Sequence, residues 1–173
     1  MFIIFEGCDL SGKSTIIDYL YKNYRFGLSG WKIFNYFKIR ARFPDTWLQN
    51  IDLCAEIEYN CLKQCRDSYF VLDRFYVSSI IYNQVLDRKY DTSYINPDDF
   101  KNDLMIYVSV SEDVLIKRCE TRGDDKKILE RLMDLNKAYI EYFKDKEVLR
   151  LNGNDEPCEN TKLIIHELAA RGF

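Results

Sequence analysis

Short apolar runs alternate with amphipathic stretches along the 173-residue chain. The first run, MFIIFE, is continuously apolar and stops at a glycine, which is typical of a strand buried on both faces. Four similar runs, WKIFNYF, YFVLD, DLMIYVSV and EVLRLN, predict four further strands. Because helical patterning separates these runs, the chain predicts one α/β domain over residues 1–173, with a five-stranded parallel sheet and helices on both faces.

The helices are predicted from apolar residues at helical spacing. Isoleucine and cysteine positions mark a helix from about 46 to 66, and Leu132, Leu135 and Tyr139 lie on the apolar stripe of another over 128–143. A helix is expected to begin near Val77, and another follows Pro157. The longest irregular stretch is 87–100.

Composition narrows the classes of protein. Lys and Arg number 25 against 28 Asp and Glu, so the net charge of −3 argues against a nucleic-acid partner. Six cysteines without a C-x-x-C pair predict reduced thiols and a cytoplasmic location. No apolar run approaches the length of a membrane span, so no membrane partner is expected.

The first strand leads into a glycine-rich motif. Residues 7–14, GCDLSGKS, fit G-x-x-x-x-G-K-[ST] between a predicted strand and a predicted helix. The glycines let backbone N–H groups converge on phosphate oxygens at the helix N-terminus, Lys13 reaches the β and γ phosphates, and Ser14 offers its hydroxyl to Mg²⁺. The predicted ATP-binding residues are Gly7, Cys8, Asp9, Leu10, Ser11, Gly12, Lys13, Ser14 and Thr15.

Two further groups of charged residues favour a kinase. Asp73 and Arg74 end the third predicted strand, where a carboxylate suits magnesium and a guanidinium suits phosphate. A basic segment around a glycine, residues 118–127, has the composition of a lid over transferring phosphates and carries Arg118 and Arg122.

These segments resemble the thymidylate kinases, a family of P-loop nucleoside monophosphate kinases. FEGCDLSGKST resembles the family's F-E-G-x-D-x-x-G-K-S-T, and DRFYVSSIIYN resembles its D-R-[YFH]-x-x-S-x-x-A-Y-Q. ARFPDT and LIKRCETRG resemble its R-F-P-E-R-S-T stretch and its arginine-bearing lid. The resemblance implies a three-layer P-loop fold, transfer of phosphate from Mg²⁺-ATP to dTMP or a related deoxynucleoside monophosphate, and a homodimer.

The resemblance also implies roles for single residues. Asp9 would accept a hydrogen bond from the 3′-hydroxyl of the acceptor, Asp73 would organise magnesium together with Ser14, and Tyr82 would disfavour ribose. The implied catalytic residues are Lys13, Asp73, Arg74, Arg118 and Arg122, and the implied substrate-binding residues are Asp9, Arg42, Phe43, Arg74, Ser79 and Tyr82.

Departures from the family pattern leave alternatives open. Leu10 stands where some members carry an arginine, so the lid must supply the cation for the transition state. No arginine is found to recognise a thymine base. A deoxynucleoside kinase remains an alternative, although a neutral acceptor needs a carboxylate base and the arginines favour a monophosphate. A polynucleotide 5′-kinase and a GTP switch are further alternatives, opposed by the acidic composition and by the lack of an N-K-x-D motif.

Overall fold

The computed structural model describes residues 1–24, 30–35 and 51–172. Within these ranges, strands and helices alternate along the chain as the apolar pattern predicts. The strands are β1 (Phe2–Glu6), β2 (Lys32–Asn35), β3 (Phe70–Asp73), β4 (Leu104–Ser109) and β5 (Leu149–Asn152). The α-helices are α1 (Lys13–Asn23), α2 (Ile51–Gln64), α3 (Tyr76–Val85), α4 (Glu112–Arg122), α5 (Lys126–Phe143) and α6 (Pro157–Ala170).

The five strands form one sheet in the order β2-β3-β1-β4-β5. The β1–β3, β2–β3 and β4–β5 pairs are parallel. The predicted α/β fold with five parallel strands is therefore confirmed. The predicted extension of the second strand to residue 37 and the predicted helical residues 46–50 lie outside the described residues.

Local capping explains where some elements begin. Helix α5 begins at Lys126, two residues before the predicted start, because the Asp125 carboxylate accepts a hydrogen bond from the Ile128 N–H at 2.9 Å. The predicted loop 87–100 contains a short 3-10 helix, Pro97–Phe100. Its N-cap is Asn96, whose side chain accepts from the Asp98 N–H at 3.2 Å.

The chain divides into two compact units. The first comprises Met1–Glu6 and Gly30–Met105, and the second comprises Gly7–Ser29 and Ile106–Phe173. No helix in the described ranges is long and apolar enough to cross a membrane.

An aromatic cluster forms the core of the first unit beside β1 and β3. The ring of Phe100 lies 4.9 Å from that of Phe75 and 5.2 Å from that of Tyr59, both edge to face. The Tyr59 hydroxyl donates to the carbonyl of Asn96 at 2.8 Å, which ties α2 to the 3-10 helix. These contacts fix the start of α3, where Phe75 is the N-cap residue.

In the second unit, α1 packs on α6 and α4 packs on α5. The ring of Tyr107 on β4 stacks on that of Phe143 at 4.7 Å, and Tyr139 lies parallel to both. Leu115, Leu135, Leu151 and Ile164 complete this buried interior.

Candidate active site

The Gly7–Ser14 loop of the second unit takes a shape that only glycine allows at two positions. Gly7 and Gly12 have φ angles of 145° and 99°. A Cβ on Gly7 would lie 2.4 Å from the carbonyl oxygen of Val108, so a larger residue would also displace the loop from β4. Leu10 has a φ of 63°, and this strained backbone is typical of ligand-binding loops.

Helix α1 begins at Lys13, within the last residues of this loop. Its N-cap residue is Gly12, which has no side chain to accept hydrogen bonds from the first turn. The side chains of Ser14 and Thr15 in that turn are exposed. The helix therefore begins with backbone N–H groups and a positive dipole end, which is the arrangement that binds phosphate.

The Lys13 side chain is buried within the loop and is only 4% exposed. Its ammonium donates to the carbonyl oxygens of Gly7 at 2.9 Å and Cys8 at 2.6 Å, and to Ser11 Oγ at 3.0 Å. The positive charge predicted for this motif therefore lies where the loop backbone curls.

Arg118 on α4 holds the Gly7–Ser14 loop from outside. Its two terminal nitrogens donate to the carbonyl oxygens of Leu10 at 2.8 Å and Gly153 at 2.7 Å. The sequence predicts Arg118 as a lid residue, and the structure places it against the backbone of the ATP-binding motif. Arg118 therefore lies beside the Gly7–Ser14 loop, and its catalytic role stays a prediction.

Gly153, which follows β5, was missed by the sequence analysis. A Cβ at this position would lie 1.8 Å from the carbonyl oxygen of Ser11, and its N–H donates to the carbonyl of Ser109 at 2.7 Å. Only glycine lets the two backbones approach this closely. The signal in the sequence was a glycine directly after the predicted fifth strand, at the edge of a parallel sheet where ligands bind.

Asn136 on α5 is a second missed residue. Its amide oxygen accepts a hydrogen bond from the Cys8 thiol at 3.5 Å. Its amide nitrogen donates a hydrogen bond to the Val110 carbonyl oxygen at 3.3 Å. The sequence indication was a polar asparagine beside the apolar stripe of a predicted helix, because a buried polar side chain needs a hydrogen-bond partner. Asn136 ties the second residue of the Gly7–Ser14 loop to the core of the second unit.

Arg122 lies at the C-terminal end of α4, and its side chain is 46% exposed. It forms an ion pair with Asp124 at 2.5 Å, and this arginine holds the pKa of the Asp124 carboxyl below its ordinary value. Asp9 is close enough to act electrostatically on both. Because the Arg122 side chain is half exposed, its ion pair contributes little stability, and the guanidinium can exchange the carboxylate for a phosphate.

The Arg74 cluster of the first unit comprises Arg74, Ser78 and Tyr82. Arg74 follows β3 with a φ of 75°, is 3% exposed, and donates its backbone N–H to the Phe5 carbonyl at 2.9 Å. One terminal nitrogen donates to Ser78 Oγ at 3.3 Å, and the guanidinium carbon lies 5.2 Å from the centre of the Tyr82 ring. The predicted phosphate-binding arginine and the predicted sugar-selecting tyrosine are therefore neighbours.

Metal-binding capacity rests on oxygen donors. Asp73, the last residue of β3, is buried, and Ser14 carries an exposed hydroxyl. The described residues contain no group of three or more His, Cys, Asp or Glu side chains that could hold a metal ion. Magnesium in nucleotide kinases is bound by one or two protein oxygens together with substrate phosphates, so hydroxyl and carboxylate donors fit this ion.

The profile of the thymidylate kinase family matches residues 56–164 of this chain. The chain belongs to the thymidylate kinase family. It is an ATP-dependent nucleotide kinase. The match begins after the Gly7–Ser14 loop, so the loop and the family match are separate lines of support. A search of curated proteins found no match.

Two solved structures that share the fold of this thymidylate kinase family member are a deoxyadenosine kinase and a protein in complex with phosphorylated GDP. Deoxyadenosine kinase from M. mycoides, solved with dCMP and dCDP bound, is 24% identical, with a TM-score of 0.66 over 98% of this chain and 100% of its own. The YorR protein from Bacillus subtilis, solved in complex with phosphorylated GDP, is 21% identical, with a TM-score of 0.70 over 99% of this chain and 97% of its own.

The remaining predicted residues of this kinase divide into two groups. Ser79 lies half-buried on α3, and its N–H donates to the Phe75 carbonyl at 3.4 Å, within the helix. Arg42 and Phe43, predicted to bind the acceptor, lie outside the described residues.

Proposed function

We propose that this kinase transfers the γ-phosphoryl group of ATP to the 5′-phosphate of dTMP or a related deoxynucleoside monophosphate. The observation that carries this proposal is the buried guanidinium of Arg74, held by Ser78 and Tyr82. A cation fixed in this way suits an anionic acceptor, because a planar guanidinium forms paired hydrogen bonds to phosphate oxygens. A neutral nucleoside has no such group.

The donor side is the Gly7–Ser14 loop. Its backbone N–H groups and Lys13 would bind the phosphates of ATP, and Arg118 and Arg122 would neutralise charge as the phosphoryl group moves. When bound, Mg²⁺ would offset the charge of the ATP phosphates, and the Ser14 hydroxyl and the Asp73 carboxylate are the residues we assign to hold it.

The reaction needs no covalent intermediate on the enzyme. An oxygen of the acceptor phosphate forms a bond to the γ-phosphorus, and the bond to the bridging oxygen of ADP breaks, with the electron pair leaving on ADP. Because the acceptor phosphate is already ionised, no strong base is required. Catalysis then rests on positioning and on neutralisation of charge.

A deoxynucleoside kinase is the second candidate, because the deoxyadenosine kinase neighbour matches over its whole length. A nucleoside acceptor must lose the proton of its 5′-hydroxyl as that oxygen attacks, so this candidate needs a carboxylate base. Asp73 is the buried carboxylate that we would assign to that task. The homodimer remains a prediction from the family resemblance, and the cytoplasmic location remains a prediction from the cysteines.

The deciding experiment measures ADP release with matched acceptors: dTMP against thymidine, dCMP against deoxycytidine, and dAMP against deoxyadenosine. We expect turnover with at least one monophosphate, and a kcat/KM at least about tenfold above that of the matching nucleoside. Arg74→Ala should lower kcat/KM for the monophosphate by about tenfold or more, since a charge-assisted hydrogen bond contributes about 1.5–3 kcal/mol. Faster turnover of the nucleosides would establish the second candidate instead.

The donor side is tested by Lys13→Met with Lys22→Met as its control. Both lysines belong to α1, but Lys22 is exposed in the last turn. We expect Lys13→Met to lower kcat by about 10³-fold, as loss of a group that binds the transferring phosphoryl does, and Lys22→Met to leave it unchanged. Turnover of a folded Lys13→Met enzyme within about threefold of wild type would remove the assignment of the loop.

A further inference from the structure

Glu6, the last residue of β1, is a fully buried carboxylate of the first unit. One of its oxygens, Oε1, accepts hydrogen bonds from the N–H groups of Phe75 at 2.8 Å and Ser78 at 3.2 Å. The other, Oε2, accepts from Ser78 Oγ at 2.5 Å. Glu6 is not among the residues proposed to bind ATP or the acceptor.

These contacts make Glu6 the cap of α3. Phe75, the N-cap residue of this helix, forms no side-chain capping bond, so its own side chain does not satisfy the first N–H groups. The Glu6 carboxylate accepts from the N-cap and N3 positions, which are two of the groups that need a partner at a helix start. A negative charge there is also favoured by the helix dipole.

Ser78 connects Glu6 to Arg74. A hydroxyl can donate one hydrogen bond and accept others, and Ser78 Oγ donates to Glu6 Oε2 while it accepts from the Arg74 guanidinium at 3.3 Å. The carboxylate therefore fixes the direction of the hydroxyl hydrogen. A lone pair of Ser78 Oγ is then directed at Arg74, whose guanidinium carbon lies 5.2 Å from the centre of the Tyr82 ring.

Burial of this carboxylate has a cost that the start of a helix does not require. Loss of contact with water raises the pKa of Glu6, and the hydrogen bonds of Ser78 and the charge of Arg74 act in the opposite direction. A serine or threonine at the N-cap would satisfy α3 without a buried charge. What the carboxylate adds is a hydrogen-bonded link through Ser78 to Arg74, and the opposite charges of Glu6 and Arg74 stabilise that link.

We propose that Glu6 is a positioning residue for phosphoryl transfer, which fixes the Arg74 guanidinium through Ser78 in the orientation that receives the acceptor phosphate. This inference rests on the proposed function, because that function assigns Arg74 to the acceptor. Glu6 itself contacts neither substrate in this scheme.

The test uses Glu6→Gln and Ser78→Ala in the full chain, with dTMP or whichever acceptor the enzyme turns over fastest. The glutamine keeps the shape and one acceptor oxygen, but presents an amide that can donate where Ser78 needs an acceptor. We expect each variant to lower kcat/KM for the acceptor by about tenfold, with the KM for ATP within about twofold of wild type. If Glu6→Gln does not fold, Ser78→Ala alone tests the link.

Asp103→Asn is the matched control. Asp103 is also a buried carboxylate of the first unit, and it accepts from the Phe2 N–H at 2.8 Å and pairs with Arg66 at 2.6 Å. Its loss should lower the melting temperature and leave kcat/KM for the acceptor unchanged. An equal loss of kcat/KM in this variant would assign the Glu6 effect to general stability and overturn the proposal.

A double-mutant cycle separates the link from the assignment of Arg74. If Glu6 acts through Arg74, Glu6→Gln should change kcat/KM by less than about twofold in an Arg74→Ala background. Additive losses would overturn the link while the proposed function stands. An Arg74→Ala enzyme with normal kcat/KM would instead overturn the assignment of Arg74 on which the link rests.

Discussion

The Gly7–Ser14 loop and the Arg74 cluster are built from different groups. The loop is shaped by backbone: Lys13 and Arg118 both donate to its carbonyl oxygens, and Gly7 and Gly153 permit close approach of neighbouring chain. In the Arg74 cluster, which Glu6 extends, a carboxylate, a hydroxyl and an aromatic ring fix the cation. A site made of backbone groups suits a phosphate donor, because the triphosphate is the same in every nucleoside triphosphate. A site made of side chains can be changed by single substitutions, which suits the selection of one acceptor.

The largest expected effect concerns the two arginines of α4. Arg118→Ala and Arg122→Ala should each lower kcat by at least about a hundredfold, because arginines that neutralise a transferring phosphoryl group contribute roughly 10³–10⁵ in rate. Only Arg118→Ala should also raise the KM for ATP, by about tenfold, since only Arg118 donates to the loop backbone.

Steady-state kinetics at varied ATP separates these effects. Near-normal kcat in both variants would show that neither arginine serves the transition state. A KM for ATP that is equal in the two variants would contradict a backbone-held loop.

The second prediction tests the loop through a residue outside its motif. Gly153→Ala should lower kcat/KM for ATP by about a hundredfold, because the added Cβ would lie 1.8 Å from the Ser11 carbonyl oxygen and must displace the loop. Gly172→Ala is the control, since a Cβ there has no atom within 4 Å, and its φ of 86° makes it the more demanding position for the alanine backbone, because the φ of Gly153 is not in the left-handed region. Normal ATP kinetics in Gly153→Ala would show that the loop does not depend on this contact.

The third prediction concerns selection of the acceptor sugar by Tyr82. In Tyr82→Ala, the ratio of kcat/KM for a deoxynucleoside monophosphate over its ribose counterpart should fall toward one. The ring would leave a 2′-hydroxyl without a partner, which costs roughly 1–3 kcal/mol, or about five- to 150-fold. Tyr82→Phe keeps the ring over Arg74 and should keep the ratio.

The test measures kcat/KM for the deoxyribose and ribose monophosphates with the wild-type enzyme, Tyr82→Ala and Tyr82→Phe. An unchanged ratio in Tyr82→Ala, or a wild-type preference for ribose, would show that the side-chain site does not select the sugar through this residue.

The smallest effect contrasts two buried tyrosines. The Tyr107 hydroxyl in the second unit has no hydrogen-bond partner among the described residues, and burial raises its pKa to about 12. Tyr107→Phe should raise the free energy of unfolding by about 1 kcal/mol, because it removes an unsatisfied polar group. Tyr59→Phe in the first unit should lower it, since that hydroxyl contacts Asn96 at 2.8 Å and Asp99 at 2.9 Å. Thermal melts of both variants check the signs, and destabilisation of Tyr107→Phe would contradict the prediction.

The Gly7–Ser14 loop could be predicted from the sequence because its constraints are local. Gly7, Gly12 and Lys13 lie within seven positions, and one strand and one helix fix their arrangement. The strands were equally accessible, since each is a short apolar run between helical patterns. The observed bounds differ from the predicted ones by one or two residues, and for helix α5 the Asp125 cap decides the start.

The rest of the site depends on contacts between distant parts of the chain. Asn136 lies 128 positions from Cys8, and Ser78 lies 72 positions from Glu6. Nothing near Glu6 indicates that it caps a helix, because the N–H groups it accepts from belong to the third strand–helix turn. The hydrophobic periodicity of a strand or a helix shows which face of that element is buried. It does not show which polar side chain on that face forms a hydrogen bond with a polar group of another element.

Gly12, the N-cap residue of helix α1, has no side chain to satisfy the first turn, and this affects the stability of the helix. A helix with a glycine N-cap is less stable by roughly a few tenths of a kcal/mol than one whose N-cap is serine or aspartate. A phosphate bound there restores the missing hydrogen bonds, so occupancy of the loop and order of the first turn are linked quantities. Amide hydrogen exchange at Ser14 and Thr15 would then report nucleotide binding directly, as a slowing that follows the saturation curve.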